Sequence, residues 1–230
     1  MRLSQGRARR KISRFVVAID GTAASGKSTT AREAARRLGF TYLDTGAMYR
    51  ALTLKALREE ADLSDRASLS ELAHRTDITL NRERIFLNGE DVTEEIRLPD
   101  VDRNVSLVSS YPEVRERLVE IQRRVGSKGR VICEGRDIGT VVFPDADLKI
   151  FIQAELSERA KRRRKELREK GVELSQELVE SELSLRDTFD SRREASPLRM
   201  AKGAVLIDTT HLTIEEEVER AVREIEKAMA

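Results

Sequence analysis

The phosphate-loop pattern Gly21-Thr22-Ala23-Ala24-Ser25-Gly26-Lys27-Ser28 stands between an apolar run and an amphipathic one, and this juxtaposition restricts the fold more than any other feature. Gly21 and Gly26 let the backbone turn so tightly that successive N–H groups point at phosphate oxygens, beside the positive end of the helix that follows. In the stretch from Gly21 to Thr29, Lys27 supplies a mobile charge for the outer phosphates of a nucleoside triphosphate, and Ser28 a hydroxyl ligand for Mg²⁺. Before the loop, Phe15-Val16-Val17-Ala18-Ile19 reads as a strand. After it, Ala31, Ala34, Ala35 and Leu38 recur at helical spacing until Gly39 closes the helix.

Other β-rich segments follow at Thr41 to Leu43, Arg130 to Cys133, Leu148 to Ile152 and Ala204 to Ile207. Five strands alternating with helices predict the α/β class, a doubly wound five-stranded parallel sheet. Ligands of such sheets sit beyond the carboxyl ends of the strands, which is where every motif of this chain falls. The 230 residues suffice for one substantial core with small insertions. We assign that core to residues 15–62, 107–154 and 197–230 of a domain spanning 15–230. Residues 63–106 carry Ile78-Thr79-Leu80, then Arg84-Ile85-Phe86-Leu87 closed by Asn88-Gly89, then Val92-Thr93, and so read as a small antiparallel insertion over a second substrate. Residues 155–196 read as a helical lid: a basic helix from Ser157 to Lys170, a break at Gly171, and a second helix from about Ser175. Its charge density leaves little apolar surface to anchor it, as suits a segment that closes on phosphates. Ile214 to Met229 forms an amphipathic packing helix with Thr213 as cap.

Composition removes several classes. Lys and Arg number 43 against 41 Asp and Glu, a net charge of +2, so the surface is salt-bridge-laced rather than a nucleic-acid stripe. The exception is the basic tail 1–14, expected to be disordered and solvated, with a nucleic-acid or ribosome-binding arm as the alternative. The single Cys133 lies in an apolar run and reads as a buried small hydrophobe. No stretch is long and apolar enough for a membrane span or signal-peptide core, so a cytoplasmic protein is expected. His74 and His211 are solitary.

A phosphate loop alone does not separate GTPases, motors and small-molecule kinases. No N-K-x-D guanine-reading segment exists, whereas arginines recur near the predicted strand ends: Arg50, Arg115, Arg136, Arg159, Arg163, Arg186 and Arg193. Phosphoryl transfer between two anions needs their repulsion cancelled and the transfer line fixed, and fork-shaped, permanently charged donors do both. In Asp44-Thr45-Gly46-Ala47-Met48-Tyr49-Arg50, Thr45 is a natural helix cap, and Arg50 faces either an anion or solvent. Glu134, ending an apolar strand, either sits near Mg²⁺ through water or pairs with Arg136. On the second lid helix Arg186, Asp187, Asp190 and Arg193 share helical spacing, which braces a surface or faces a cleft.

Taken together, Ile19-Asp20-Gly21 with Gly26-Lys27-Ser28, Leu43 to Arg50, Glu134-Gly135-Arg136-Asp137-Ile138-Gly139-Thr140-Val141-Val142-Phe143-Pro144 and Arg186-Asp187 with Asp190-Ser191-Arg192-Arg193 resemble the bacterial cytidylate kinase family. The likeness runs from Phe15 onward and includes Leu87 to Arg97 of the insertion. It implies a nucleoside monophosphate kinase that passes a phosphoryl group from ATP, with Mg²⁺, to CMP or dCMP, most simply as a monomer. It also implies Lys27, Arg136, Asp137, Arg159 and Arg163 as the catalytic set, with Gly21 to Thr29 on ATP. On the acceptor, Ser106, Arg115 and Asp137 would face cytosine, Arg186 and Asp190 the ribose, and Arg50, Arg136 and Arg193 the phosphate, with Thr45 beside them. Two departures lie in the phosphate loop, where Thr22 replaces a common proline and Ala24 a common glycine. Other small kinases, for UMP, AMP or shikimate, and a nucleotide-dependent RNA-binding factor are the competing readings.

Overall fold

The computed structural model describes residues 14–81 and 83–230, so the basic tail expected at 1–14 lies outside the described residues but for Arg14. The chain begins with β1 (Phe15–Gly21), α1 (Lys27–Leu38), β2 (Thr41–Asp44) and α2 (Thr45–Arg58). It continues through α3 (Arg66–His74), β3 (Ile78–Asn81), β4 (Arg84–Leu87), β5 (Glu90–Asp91), α4 (Pro99–Val108) and α5 (Pro112–Gly126). Then come β6 (Arg130–Gly135), β7 (Leu148–Gln153), α6 (Leu156–Glu169), α7 (Gln176–Arg192), β8 (Val205–Asp208) and α8 (Ile214–Met229).

Five strands form one parallel sheet in the order β2-β6-β1-β7-β8, as the alternating pattern predicts. Strand periodicity divides the core in two. Val16 and Ala18 of β1 pack among Leu43, Met48, Leu52 and Leu118 on one face, while Phe15, Val17 and Ile19 meet Ala31, Ala34, Ala221 and Ile225 on the other. Both faces are covered, so the strands are apolar throughout. Strand order reverses at β1, and the phosphate loop therefore emerges at the switch point of the sheet. Several strands run further than the apolar runs suggest: β2 reaches Asp44 and β6 reaches Gly135, in a register that sets Asp44 opposite Glu134 and Asp20 opposite Gly135. Polar residues at these ends keep strand geometry because the neighbouring strand holds their backbone.

The second sheet, β3-β4-β5, is antiparallel. Asn88 and Gly89 close its second hairpin with φ of 51° and 86°, the mirror-image turn this dipeptide favours. The third strand is Glu90–Asp91 rather than Val92-Thr93, because a two-residue turn leaves Glu90 directly opposite Leu87. Gly171, at φ 80°, separates α6 from α7, whose first turn is capped by Ser175. These two helices share a small apolar cluster of Ala160, Val179 and Leu183 with Ala23 of the phosphate loop. The segment read as a lid thus has an apolar seat that its charge density hides in the sequence. Among the described residues, no helix is long and apolar enough to cross a membrane.

Candidate active site

The loop between β1 and α1 is held by close approaches on both sides. A Cβ at Gly21 would collide with the Ile152 carbonyl oxygen, and one at Gly26, whose φ is 90°, with the Glu217 carboxylate of α8. Ala24 adopts φ 57°, a left-handed conformation that costs a residue with a Cβ about 1–2 kcal/mol. The Ser25 hydroxyl donates to the Thr22 carbonyl at 3.0 Å, and Thr209 donates to the Ser25 carbonyl at 3.0 Å. The loop is therefore braced by the residue that follows β8 and by α8.

Lys27 lies 3.5 Å from Glu134, at the end of β6. Burial and the neighbouring Arg136 push its ammonium down to about 8, against the pull of Glu134. Glu134 remains ionised below the usual carboxylate range: burial opposes its charge, but Lys27, Ser28 and Tyr42 favour it. Tyr42 donates to it at 3.0 Å. Of the two readings of Glu134, pairing with Arg136 fails, since Arg136 instead donates to Asp190 at 2.8 Å and to the Gly21 carbonyl at 2.9 Å. Thr45 is not the cap of α2 either. Asp44, still extended at φ −84° and ψ 97°, accepts from the Ala47 N–H at 2.9 Å, leaving the Thr45 hydroxyl to donate to the Glu134 carbonyl at 2.8 Å. Among the described residues, no group of three or more His, Cys, Asp and Glu side chains could hold a metal ion. A cation at Ser28 and Glu134 would need phosphate oxygens and water to complete its shell, which fits Mg²⁺ arriving with a nucleotide.

Two cavities open at this strand edge. The larger, about 910 Å³, runs from Ala23–Thr29 past Arg136 and Arg163 to the antiparallel insertion and has room for a nucleoside triphosphate. The smaller, about 150 Å³, shares Lys27, Ser28, Arg50, Arg136 and Arg186 with it and continues past Thr45 to Ser106, Arg115, Asp137, Asp190 and Arg193. In its depths Arg115 donates to Asp137 at 2.5 Å and to the Ser109 carbonyl at 2.8 Å, with its guanidinium 5.1 Å from the Tyr49 ring centre. Arg193 follows α7 rather than lying on it, and stands 4.0 Å from both Asp137 and Asp190. Arg115 Nε, Arg186 Nε and Arg193 Nη2 are buried with no acceptor, so the pocket is short of anionic oxygens.

The lid arginines divide. Arg159 opens onto neither cavity: it is buried and donates to Asp187 at 2.5 Å, to the Ala23 carbonyl at 3.2 Å and to the Ala154 carbonyl at 2.9 Å, tying the lid to the phosphate loop. Arg163, Arg186 and Arg50 do face the larger cavity, and all three reach Asp102 on α4. Tyr49, Ser109, Asp102 and Asp20 were not singled out by sequence. Asp20 accepts from the Ile138 and Gly139 N–H groups at 2.7 and 2.8 Å and so fixes the turn after Asp137. Its place in the Asp-Gly start of the loop was visible, but its acceptor role depends on residues 118 and 119 positions away.

The family model described as cytidylate kinase matches residues 17–227. A protein of Caldanaerobacter subterraneus subsp. tengcongensis named cytidylate kinase is 55% identical over 211 residues, covering 92% of this chain and 94% of that relative. One of the same name from Bacillus subtilis (strain 168) is 46% identical over 215 residues, with 92% and 96% covered. Among solved structures, an uncharacterized protein from Eubacterium ventriosum superposes with a TM-score of 0.51 at 12% identity, covering 93% of this chain and 99% of its own. That likeness bears on the fold alone.

Proposed function

The chain belongs to the cytidylate kinase family, and from that premise we propose that it transfers the γ-phosphoryl group of ATP to CMP or dCMP, giving ADP and CDP or dCDP. The bond from the γ-phosphorus to the β,γ-bridging oxygen breaks as an oxygen of the CMP phosphate bonds to that phosphorus. The CMP phosphate is largely dianionic at neutral pH, so no general base is required. What the transfer requires is cancelled repulsion and a fixed line of approach. On this reading the backbone from Gly21 to Thr29 and Lys27 hold the ATP phosphates, while Arg50, Arg136, Arg163 and Arg193 surround the acceptor phosphate. Arg159 acts at one remove, holding the lid against the loop. Mg²⁺, when bound with ATP, supplies charge neutralisation between the phosphates, and Ser28 with Glu134 through water would hold it. The reaction is assigned to the cytoplasm, where both nucleotides are available.

The observation that carries the acceptor assignment is the buried Arg115–Asp137 pair. Cytosine presents an amino donor beside the acceptors N3 and O2, which answers a carboxylate beside a guanidinium. Uracil would set an oxygen against Asp137 and an N–H against Arg115, leaving buried polar groups mismatched at several kcal/mol. ADP release measured with ATP, Mg²⁺ and a panel of CMP, dCMP, UMP, AMP and shikimate tests this. CMP and dCMP should be preferred; equal use of UMP defeats the base reading, and no turnover of CMP defeats the whole. In the same assay Arg115→Met should raise KM for CMP by roughly tenfold or more, the loss of a charged hydrogen bond, with KM for ATP nearly constant.

A further inference from the structure

Asp102 belongs to no motif and stands on α4, yet three helices converge on its carboxylate. Its Oδ1 accepts from Arg50 of α2 at 2.6 Å and Arg186 of α7 at 3.2 Å, and its Oδ2 from Arg163 of α6 at 2.6 Å. Among the described residues one negative charge therefore faces three positive ones, with Glu166 as a further ion-pair partner of Arg163. The carboxylate has two oxygens for three guanidinium groups, and Arg186 Nε remains buried without an acceptor. A phosphoryl group, with up to two charges and three oxygens, fits this cluster better than the carboxylate does. All four side chains line the larger cavity.

We propose that Asp102 is an internal stand-in for nucleotide phosphate, which gathers Arg50, Arg163 and Arg186 across the empty cleft and gives them up when nucleotide phosphates arrive. The inference rests on the reading of Arg50 and Arg163 as phosphate ligands and extends it to Arg186, which the resemblance sets beside the ribose. Without an anion among them, their mutual repulsion would spread α2, α6 and α7. With Asp102, α4 is joined to α2, α6 and α7 through the three arginines. Burial works against the charge on Asp102, but Arg50, Arg186 and Arg163 hold its acid well below the usual carboxylate range. Protonation therefore does not release the arginines near neutral pH; a competing anion does. Asp102 is a positioning residue whose influence opposes phosphate binding while it prepares the site for it.

Asp102→Asn removes the charge and nearly preserves the shape. Thermal unfolding of the whole chain at low salt, titrated with inorganic tripolyphosphate, is the test. The variant should unfold at a lower temperature than the wild type without anion, the gap should close as tripolyphosphate is added, and its Kd should fall by roughly fivefold, within the usual range of site coupling. A constant gap with unchanged Kd would make Asp102 an ordinary structural ion pair and overturn the proposal. Weaker tripolyphosphate binding by the variant, or none by the wild type, would overturn it as well. Asp102→Glu keeps the charge and covers the case in which the Asn variant fails to fold. It should bind tripolyphosphate no more tightly than the wild type, and tighter binding would count against the stand-in. Turnover of CMP by the wild type, assayed alongside, separates the two ideas: its absence defeats the kinase reading, while the tripolyphosphate titration still decides Asp102.

Discussion

On the proposed reading Lys27 carries a full charge when the phosphoryl group moves, yet its surroundings in the protein make that charge costly. Burial and Arg136 lower its pKa from 10.5 to about 8. Nucleotide phosphates would reverse the balance, so ATP binding at pH 8.5 should take up protons. Calorimetry in buffers of different ionisation enthalpy checks this, and identical heats in all of them would contradict it. The same shift has a signature in stability. Between about 8 and 10.5 the unfolded chain holds the Lys27 proton and the native one does not, so this group makes the empty protein more stable as pH rises through that window. Lys27→Met should remove that contribution. Lys27→Ala should fold but lose about a hundred- to a thousandfold in kcat, the usual cost of removing one preorganised donor. More than a tenth of wild-type turnover would be too much for this assignment.

The elements around the cleft differ in how firmly they are held. The seat formed by Ala23, Ala160, Val179 and Leu183, together with the Arg159 strut, holds the root of the lid, whereas Arg163 and Arg186 depend on charge. Hydrogen exchange across Leu156–Arg192, with and without a bisubstrate analogue, should therefore show protection gained on the helical faces near Arg163 and Arg186 rather than around Ala160. Equal exchange in both states would take the lid out of the mechanism. The elements themselves were legible in the sequence because their signals are local. Gly171 breaks the lid, Ser175 caps its second helix, and Thr213 with Glu216 forms a capping box. The phosphate loop and the strand-end acids were legible for the same reason. Asp102 was not, since its partners lie 52, 61 and 84 residues away. The cap of α2 was misassigned because Asp44 and Thr45 are both good caps, and only the extended backbone of Asp44 decides between them.

At the scale of the whole molecule, buried charge gives the protein a defined acid limit. Asp190 and Glu134 are buried and Asp102 half-buried against their charge, yet neighbouring cations hold all three below their ordinary values. Such groups stabilise the native state above their unfolded pKa values, and that contribution is lost as pH falls through the folded ones. Asp20 has the opposite sign: burial raises it to about 6, so between 3.8 and about 6 the native state holds a proton that the unfolded chain has lost, and stability falls as pH rises. Asp44 and Glu217, also raised by burial, share its sign, but below the ordinary carboxylate values, of these groups, only the depressed Asp102, Asp190 and Glu134 still change stability. The urea midpoint should drop steeply below about pH 4, less steeply in Asp102→Asn, and a flat profile from pH 5 to 2 would contradict the ion-pair account. Glu217 carries a different consequence. It fills the space behind Gly26 and accepts from Thr30 across 187 residues of chain. Synthesis delivers the loop well before this helix, so the growing polypeptide carries a phosphate loop without its back wall until α8 has emerged.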